Sequence, residues 1–251
     1  MSGAEPGTGV EPSKDRPTRS GNTVPEPRVT TMFDSIAPVY DRMNTLMTAG
    51  LDGRWRRAAV RMTKLSSGDT ALDVACGTGK LTAALAGAVG PAGRVVGVDL
   101  SSAMLHEARR VFGGLANVEF RIGNALALPV DDGSFDAATI AFGVRNLASF
   151  EDGFREMARA VRSGGRVVCL ELSVPRPRVV GRIYTAGFRA TAPIIGTLFR
   201  RRAAYSYLPH SLDGFPTVEE LADTMKRAGL VDVGFRRLAL GAVAIHVGVV
   251  A

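Results

Sequence analysis

The 251-residue chain reads as an α/β protein: a parallel sheet with helices on both faces, closed by an antiparallel hairpin at its C-terminal end. Three observations predict this. Short runs rich in Val, Ile, Leu and Ala at 70–76, 94–100, 118–123, 135–142 and 166–172 alternate with helical patterns at 78–89, 102–112 and 151–161. Alternating strands and helices make βα units and hence a parallel sheet. A glycine turn, Gly77-Thr-Gly79, separates the first strand from its helix. The last two apolar runs, 233–240 and 242–250, meet around Gly241, and so short a connection makes them antiparallel.

Residues 1–28 are rich in Gly, Pro, Ser, Thr and Glu. Such a segment buries too little apolar surface to offset its ordering entropy, so it is expected to be a disordered extension. One domain is expected over 29–251, entered through a helical lid at 29–65. Within the lid, Pro38 interrupts the pattern from Met32 to Asn44 and predicts two short helices or a helix and a loop. Residues 52–64 follow as a basic amphipathic helix with Trp55 and Val60 inward. Ser101 and Ser102 supply a cap for the helix at 102–112. Residues 176–212 read as a basic helical insertion, two helices broken near Pro193. The helix at 217–228 has Thr217 as its cap, Glu220 three residues on, and Gly229 as its stop.

Composition narrows the function. With 46% apolar residues the chain can build a full core. The candidate span at 192–199 is short and contains Pro193 and Gly196, far below the length that crosses a bilayer. No secretory apolar segment opens the chain. Cys76 and Cys169 fall on different strands, which favours a reducing cytoplasm without a disulfide. Cys76 is read as a small filler. The histidines and carboxylates lack metal-ligand spacing, so no metal is expected. The net charge of +7 is local: no acid lies between Glu171 and Asp213, whereas Arg176, Arg178, Arg182, Arg189, Arg200, Arg201 and Arg202 do.

The glycine turn and two carboxylates point to a nucleoside. Gly77 and Gly79 allow positive φ and close backbone approach, and Asp99 at the end of the second strand suits ribose hydroxyls. A dinucleotide fingerprint would place a third glycine where this chain has Thr82. Asp73, just before the turn, would repel a pyrophosphate but suits an ammonium group. S-adenosylmethionine carries an ammonium, a sulfonium and a ribose, and is therefore favoured over NAD. Gly77, Asp99, Asn124 and Gly143 each end a strand, where ligands of such sheets collect.

Four stretches carry a resemblance: Met32-Phe-Asp-Ser-Ile-Ala-Pro-Val-Tyr-Asp-Arg-Met-Asn44, Leu72-Asp-Val-Ala-Cys-Gly-Thr-Gly79, Thr139-Ile-Ala-Phe-Gly-Val-Arg-Asn146 and Tyr205-Ser-Tyr-Leu-Pro-His-Ser211. From Met32 onward the chain resembles the ubiquinone/menaquinone biosynthesis C-methyltransferases, a family with the Rossmann-like, class I S-adenosylmethionine-dependent methyltransferase fold. The glycine run marks only the class; the Phe-Gly-x-Arg-Asn and Tyr-x-Tyr-Leu-Pro-x-Ser runs are narrower. The resemblance implies C-methylation of a prenylated demethylquinol, with demethylmenaquinol favoured by a Gly-, Ala- and Arg-rich composition. The ubiquinone branch and a phenolic or polyketide methyltransferase are the alternatives. It also implies that Thr78, Asp99, Asn124 and Ala125 contact the cofactor, with Met104 packed on the base. Many relatives carry serine at Ala141, where only backbone is left to line the pocket.

Ring-carbon methylation needs an electron-rich ring, hence the reduced quinol, and a group that stabilises charge on its oxygen. Arg145, just past the fourth strand, is the first candidate, against the plainer reading of an arginine paired with a structural carboxylate. Asn146 is a candidate for the other ring oxygen or for a local cap. Tyr40 and Asp41 would close over the site, and Tyr205 and Tyr207 would line it or anchor the basic segment. His246 is a weak general-base candidate, since a lone histidine on a strand is more often a core residue. The arginine-rich run from Arg176 to Arg202 fits an anionic membrane surface on the inner face of the plasma membrane. Nucleic acid is not expected, because Phe142-Gly-Val-Arg145 replaces the Asp/Asn-Pro-Pro-aromatic run of base methylation. No pattern assigns an oligomeric state.

Overall fold

The computed structural model describes residues 19–175 and 211–251; the insertion at 176–210, with Tyr205, Tyr207 and the arginines from Arg176 to Arg202, lies outside the described residues, as does 1–18. One seven-stranded sheet runs β3-β2-β1-β4-β5-β7-β6. Its strands are β1 (Thr70–Val74), β2 (Arg94–Asp99), β3 (Val118–Ile122), β4 (Phe135–Ala141), β5 (Val161–Leu172), β6 (Leu230–Leu238) and β7 (Val243–Val250). The first five are parallel, and β7 runs antiparallel to both β5 and β6. The hairpin therefore closes the sheet as expected, with its second strand innermost.

The helices are α1 (Glu26–Met47), α2 (Asp52–Thr63), α3 (Lys80–Val89), α4 (Ser102–Phe112), α5 (Phe150–Ala160) and α6 (Val218–Arg227). Local sequence fixes their ends. The Ser101 hydroxyl accepts from the Met104 amide at 3.0 Å. Thr217 and Glu220 form the reciprocal capping box, which satisfies two otherwise orphaned donors. The central strands β1, β2, β4 and β5 are buried on both faces. One packed cluster takes in Leu72, Val96, Ile140 and Cys169 with Phe150, Phe154, Leu221 and Met225 of α5 and α6. On the other face, α2 covers Val168, Leu170 and Ile245 with Trp55 and Ala59, and Val60 is half-buried against the α3 side.

Two expectations are corrected. Pro38 does not divide the lid: α1 is one 22-residue helix with the proline inside it. Pro38 lacks the N–H that would bond back one turn, yet Ile36, Ala37 and Met43 are buried with Met104 beneath them, and that packing carries the helix across the gap. Residues 19–28, expected to belong to the extension, are also packed against the domain. The Arg19 amide donates to Gly214 O (2.8 Å), the Asn22 amide to Leu147 O (2.7 Å), and Phe150 N to Ser20 O (2.9 Å). A Cβ on Gly21 would fall 1.8 Å from Ala148 O, so glycine is required there for the chain to lie against the start of α5.

Candidate active site

The carboxyl ends of β1 to β4 open into a cavity, at the end of the sheet where ligands of such folds collect. Asp99 lies on its wall. Its Oδ2 accepts from the Gly77 amide and its Oδ1 from the Ser101 amide, both at 2.8 Å, so the carboxylate joins the turn after β1 to the turn after β2. Burial pushes its pKa up, and those two amides oppose the shift. Gly77 has φ +56, and a Cβ there would meet nothing within 4 Å. The floor beside Asp99 is bare backbone with room above it, a fit for a ligand that approaches the main chain closely.

Two non-glycine residues on the wall hold left-handed backbone: Ala75 after β1 (φ 51) and Phe142 after β4 (φ 58). Such conformations cost of order 1–3 kcal/mol each and persist where surrounding contacts impose them. The contacts at Phe142 are visible. Its amide donates to Leu170 O at 2.7 Å, and its carbonyl accepts from Arg145 Nη1 at 2.9 Å.

Helix α1 lies across the opening and is tied to three successive strand ends. Asn124 Nδ2, after β3, donates to Glu26 (2.9 Å); Ser101 Oγ, after β2, to Asp34 (2.5 Å); and Thr78 Oγ1, after β1, to Asp41 (2.7 Å). Residues 26, 34 and 41 are about two turns apart, so they share one helix face. Val29, Phe33 and Tyr40 on that face line the cavity.

Of the sequence candidates, Gly77, Asp99, Met104, Asn124, Ala125, Ala141, Tyr40 and Asn146 come together on the wall. Five do not. Gly79 (φ +81) serves helix–strand packing, since a Cβ there would lie 2.9 Å from the Phe120 ring. Thr78 is engaged with Asp41. Asp73 is buried behind the turn, with Oδ2 accepting from Thr82 and Oδ1 from Thr139, at 2.7 and 2.9 Å. The expected direct grip on an ammonium is therefore corrected to a charge set beneath the turn. Burial raises the Asp73 pKa to about 6, against the lowering effect of the two hydroxyls. A folded pKa above the unfolded value means the native state holds the proton longer. Its contribution to stability is present in acid and is lost as pH rises from about 4 through about 6.

Arg145 is also corrected. It is 3% exposed, and its Nη1 lies 2.5 Å from Oε1 of Glu171, itself 1% exposed. The structure thus gives the plainer reading, pairing with a structural carboxylate, and Arg145 is not on the cavity wall. His246 is likewise excluded as the base. Its Nε2 lies 2.8 Å from Val218 O, so that nitrogen carries the proton, and burial lowers its pKa to about 4. It sits on β7, away from the cavity. Sequence reasoning missed Glu26 and Phe33; only their place one turn either side of Val29 could have suggested a shared face.

Among the described residues, no group of three or more His, Cys, Asp or Glu could hold a metal ion, and no helix is long and apolar enough to cross a membrane.

Residues 22–250 match the model of the ubiE/COQ5 methyltransferase family. Among curated relatives, the chain is 40% identical to the ubiquinone/menaquinone biosynthesis C-methyltransferase UbiE of Geobacter sulfurreducens, over 88% of each chain. It is 41% identical to the demethylmenaquinone methyltransferase of Desulfitobacterium hafniense, over 86% of this chain and 87% of that one. Among solved structures, the fold matches a Thermotoga maritima S-adenosylmethionine-dependent methyltransferase with a TM-score of 0.64 at 20% identity, covering 88% and 99% of the two chains. It also matches the putative methyltransferase bound to the Trm112 activator of Haloferax volcanii, with a TM-score of 0.64 at 19% identity over 87% and 97%.

Proposed function

The chain belongs to the ubiE/COQ5 methyltransferase family, and from that premise we propose that it transfers the methyl group of S-adenosylmethionine to a ring carbon of a prenylated demethylquinol, converting demethylmenaquinol to menaquinol. The observation that carries this reading is the Asp99 carboxylate, fixed by two backbone amides at the edge of bare glycine backbone. That is an acceptor suited to the hydroxyls of a ribose. When bound, S-adenosylmethionine supplies an electrophilic methyl on a sulfonium.

The chain's own residues do the rest. Asp99 accepts from the ribose hydroxyls. Asp73, ionised above pH about 6, favours the cationic end of the donor through its field, with Thr82 and Thr139 holding it in place. The buried apolar side chain of Met104 and the small Ala125 leave a slot for a planar base. Tyr40 and Asn146 reach the same cavity and are the groups proposed to meet the ring oxygens. Helix α1 acts as the lid that keeps water from the reacting pair. Because Arg145 is committed to Glu171, charge on the ring oxygen is stabilised by polar groups of the wall. The remainder of the work is alignment of the two reactants.

The run from Arg176 to Arg202 supports contact with anionic lipid, each basic side chain adding about 1 kcal/mol near such a surface, and a prenylated substrate resides in the bilayer. One assay tests both statements. Protein, labelled S-adenosylmethionine and prenylated demethylnaphthoquinone are combined in vesicles, with and without a reductant. Label should enter the ring only with the reductant, and faster in anionic than in neutral vesicles. Equal labelling of the oxidised quinone would overturn the quinol assignment, and equal rates in both vesicles would overturn the membrane contact.

A further inference from the structure

Glu26 is the first residue of α1, and an acid there is favourable to the helix dipole wherever it points. Its side chain nevertheless points into the cavity. Oε2 accepts from Asn124 Nδ2 at 2.9 Å, and Oε1 has no hydrogen-bond partner among the described residues. Asn124 is itself fixed: its Oδ1 accepts from the Leu126 amide at 2.9 Å, which turns its NH₂ towards Glu26. The resemblance implied that Asn124 would meet the base. In the structure its acceptor faces the main chain instead, and Glu26 brings a carboxylate to that edge of the cavity.

The position of that edge follows from the topology. The sheet order places β2 between β3 and β1, and Asp99 ends β2. A ribose held by Asp99 has the glycine turn after β1 on one side and the loop after β3 on the other. The turn lies over Asp73 and suits the cationic end of the ligand. The base therefore extends towards Gly123, Asn124 and Ala125, between the side chains of Met104 and Ala125. Glu26 lines the same cavity and is bonded to Asn124 at that edge.

We propose that Glu26 selects adenine, accepting a hydrogen bond from the 6-amino group of the base while its other oxygen is anchored by Asn124. The lid then reads the nucleoside it covers. This rests on the donor reading above. Glu26 would be a specificity residue contributed from 98 residues away in the chain, and the sheet alone would hold the ribose without identifying the base.

The test is a cycle of calorimetric titrations. Wild type and Glu26→Ala are each titrated with S-adenosylhomocysteine and with its 6-deamino purine analogue, which lacks only the amino group. A hydrogen bond to a charged acceptor supports a roughly ten- to hundredfold preference of the wild type for the adenine ligand, and Glu26→Ala should reduce that preference to within about threefold. Glu26→Gln, which keeps an oxygen, should retain part of it, and thermal melts of both variants establish that they fold. If Glu26→Ala weakens both ligands equally, the residue only latches the lid and the proposal is overturned. If the wild type binds both ligands equally, the proposal is again overturned while the donor reading stands. Failure of the wild type to bind either would overturn the donor reading, and this proposal with it.

Discussion

Replacing Arg145 with alanine is expected to cost about 3–5 kcal/mol of stability, the largest effect of any single change in the site. The reason is burial. Glu171 is 1% exposed and Arg145 3%, so removing the guanidinium leaves a carboxylate without its charge partner in the interior. The same arginine donates to the Phe142 carbonyl and helps hold that residue at φ 58, so the strained wall of the cavity should relax as well. Replacing both members of the pair with apolar residues of similar volume should cost much less, because neither charge is then stranded. Urea unfolding of the two variants measures this. If Arg145→Ala unfolded with the wild-type midpoint but had lost turnover, Arg145 would be the charge-stabilising group that its place after β4 first suggested.

Asp99→Ala is expected to lower affinity for S-adenosylmethionine by roughly a hundredfold or more. The carboxylate makes charge-assisted bonds, worth about 1.5–3 kcal/mol each, and it also holds the turns on either side of it. Without it the Gly77 and Ser101 amides lose their acceptor, and the ribose loses its partner. Asp99→Asn keeps one acceptor oxygen and should fall between the two. Calorimetric titration of the three proteins gives the order directly. A wild-type affinity in Asp99→Ala would remove Asp99 from the site.

The strands, the helix caps and the carboxyl-end cluster of Gly77, Asp99, Asn124 and Gly143 were legible because local rules generate them. Period, glycine position and capping residues decide where a βα unit turns, and in a parallel sheet those turns gather at one end. What was not legible depends on chain-distant pairing. Nothing near Arg145 announces that Glu171, on the next strand, will be 2.5 Å away. Nothing in the first turn of α1 announces that Glu26 will meet Asn124. Pro38 misled for a related reason: its local cost is real, but burial of Ile36, Ala37 and Met43 outweighs it. Asp73 was read as a direct partner for an ammonium, because the two threonines that turn it inward belong to α3 and β4 and nothing beside it announces them.

The cavity walled by Asp99 and Gly77 is expected to hold a methyl-donating nucleoside. Titrating the folded protein in parallel with S-adenosylmethionine and with NADH tests this most directly. S-adenosylmethionine should bind saturably and one-to-one, and NADH should give no measurable heat. Binding of NADH in preference would contradict this.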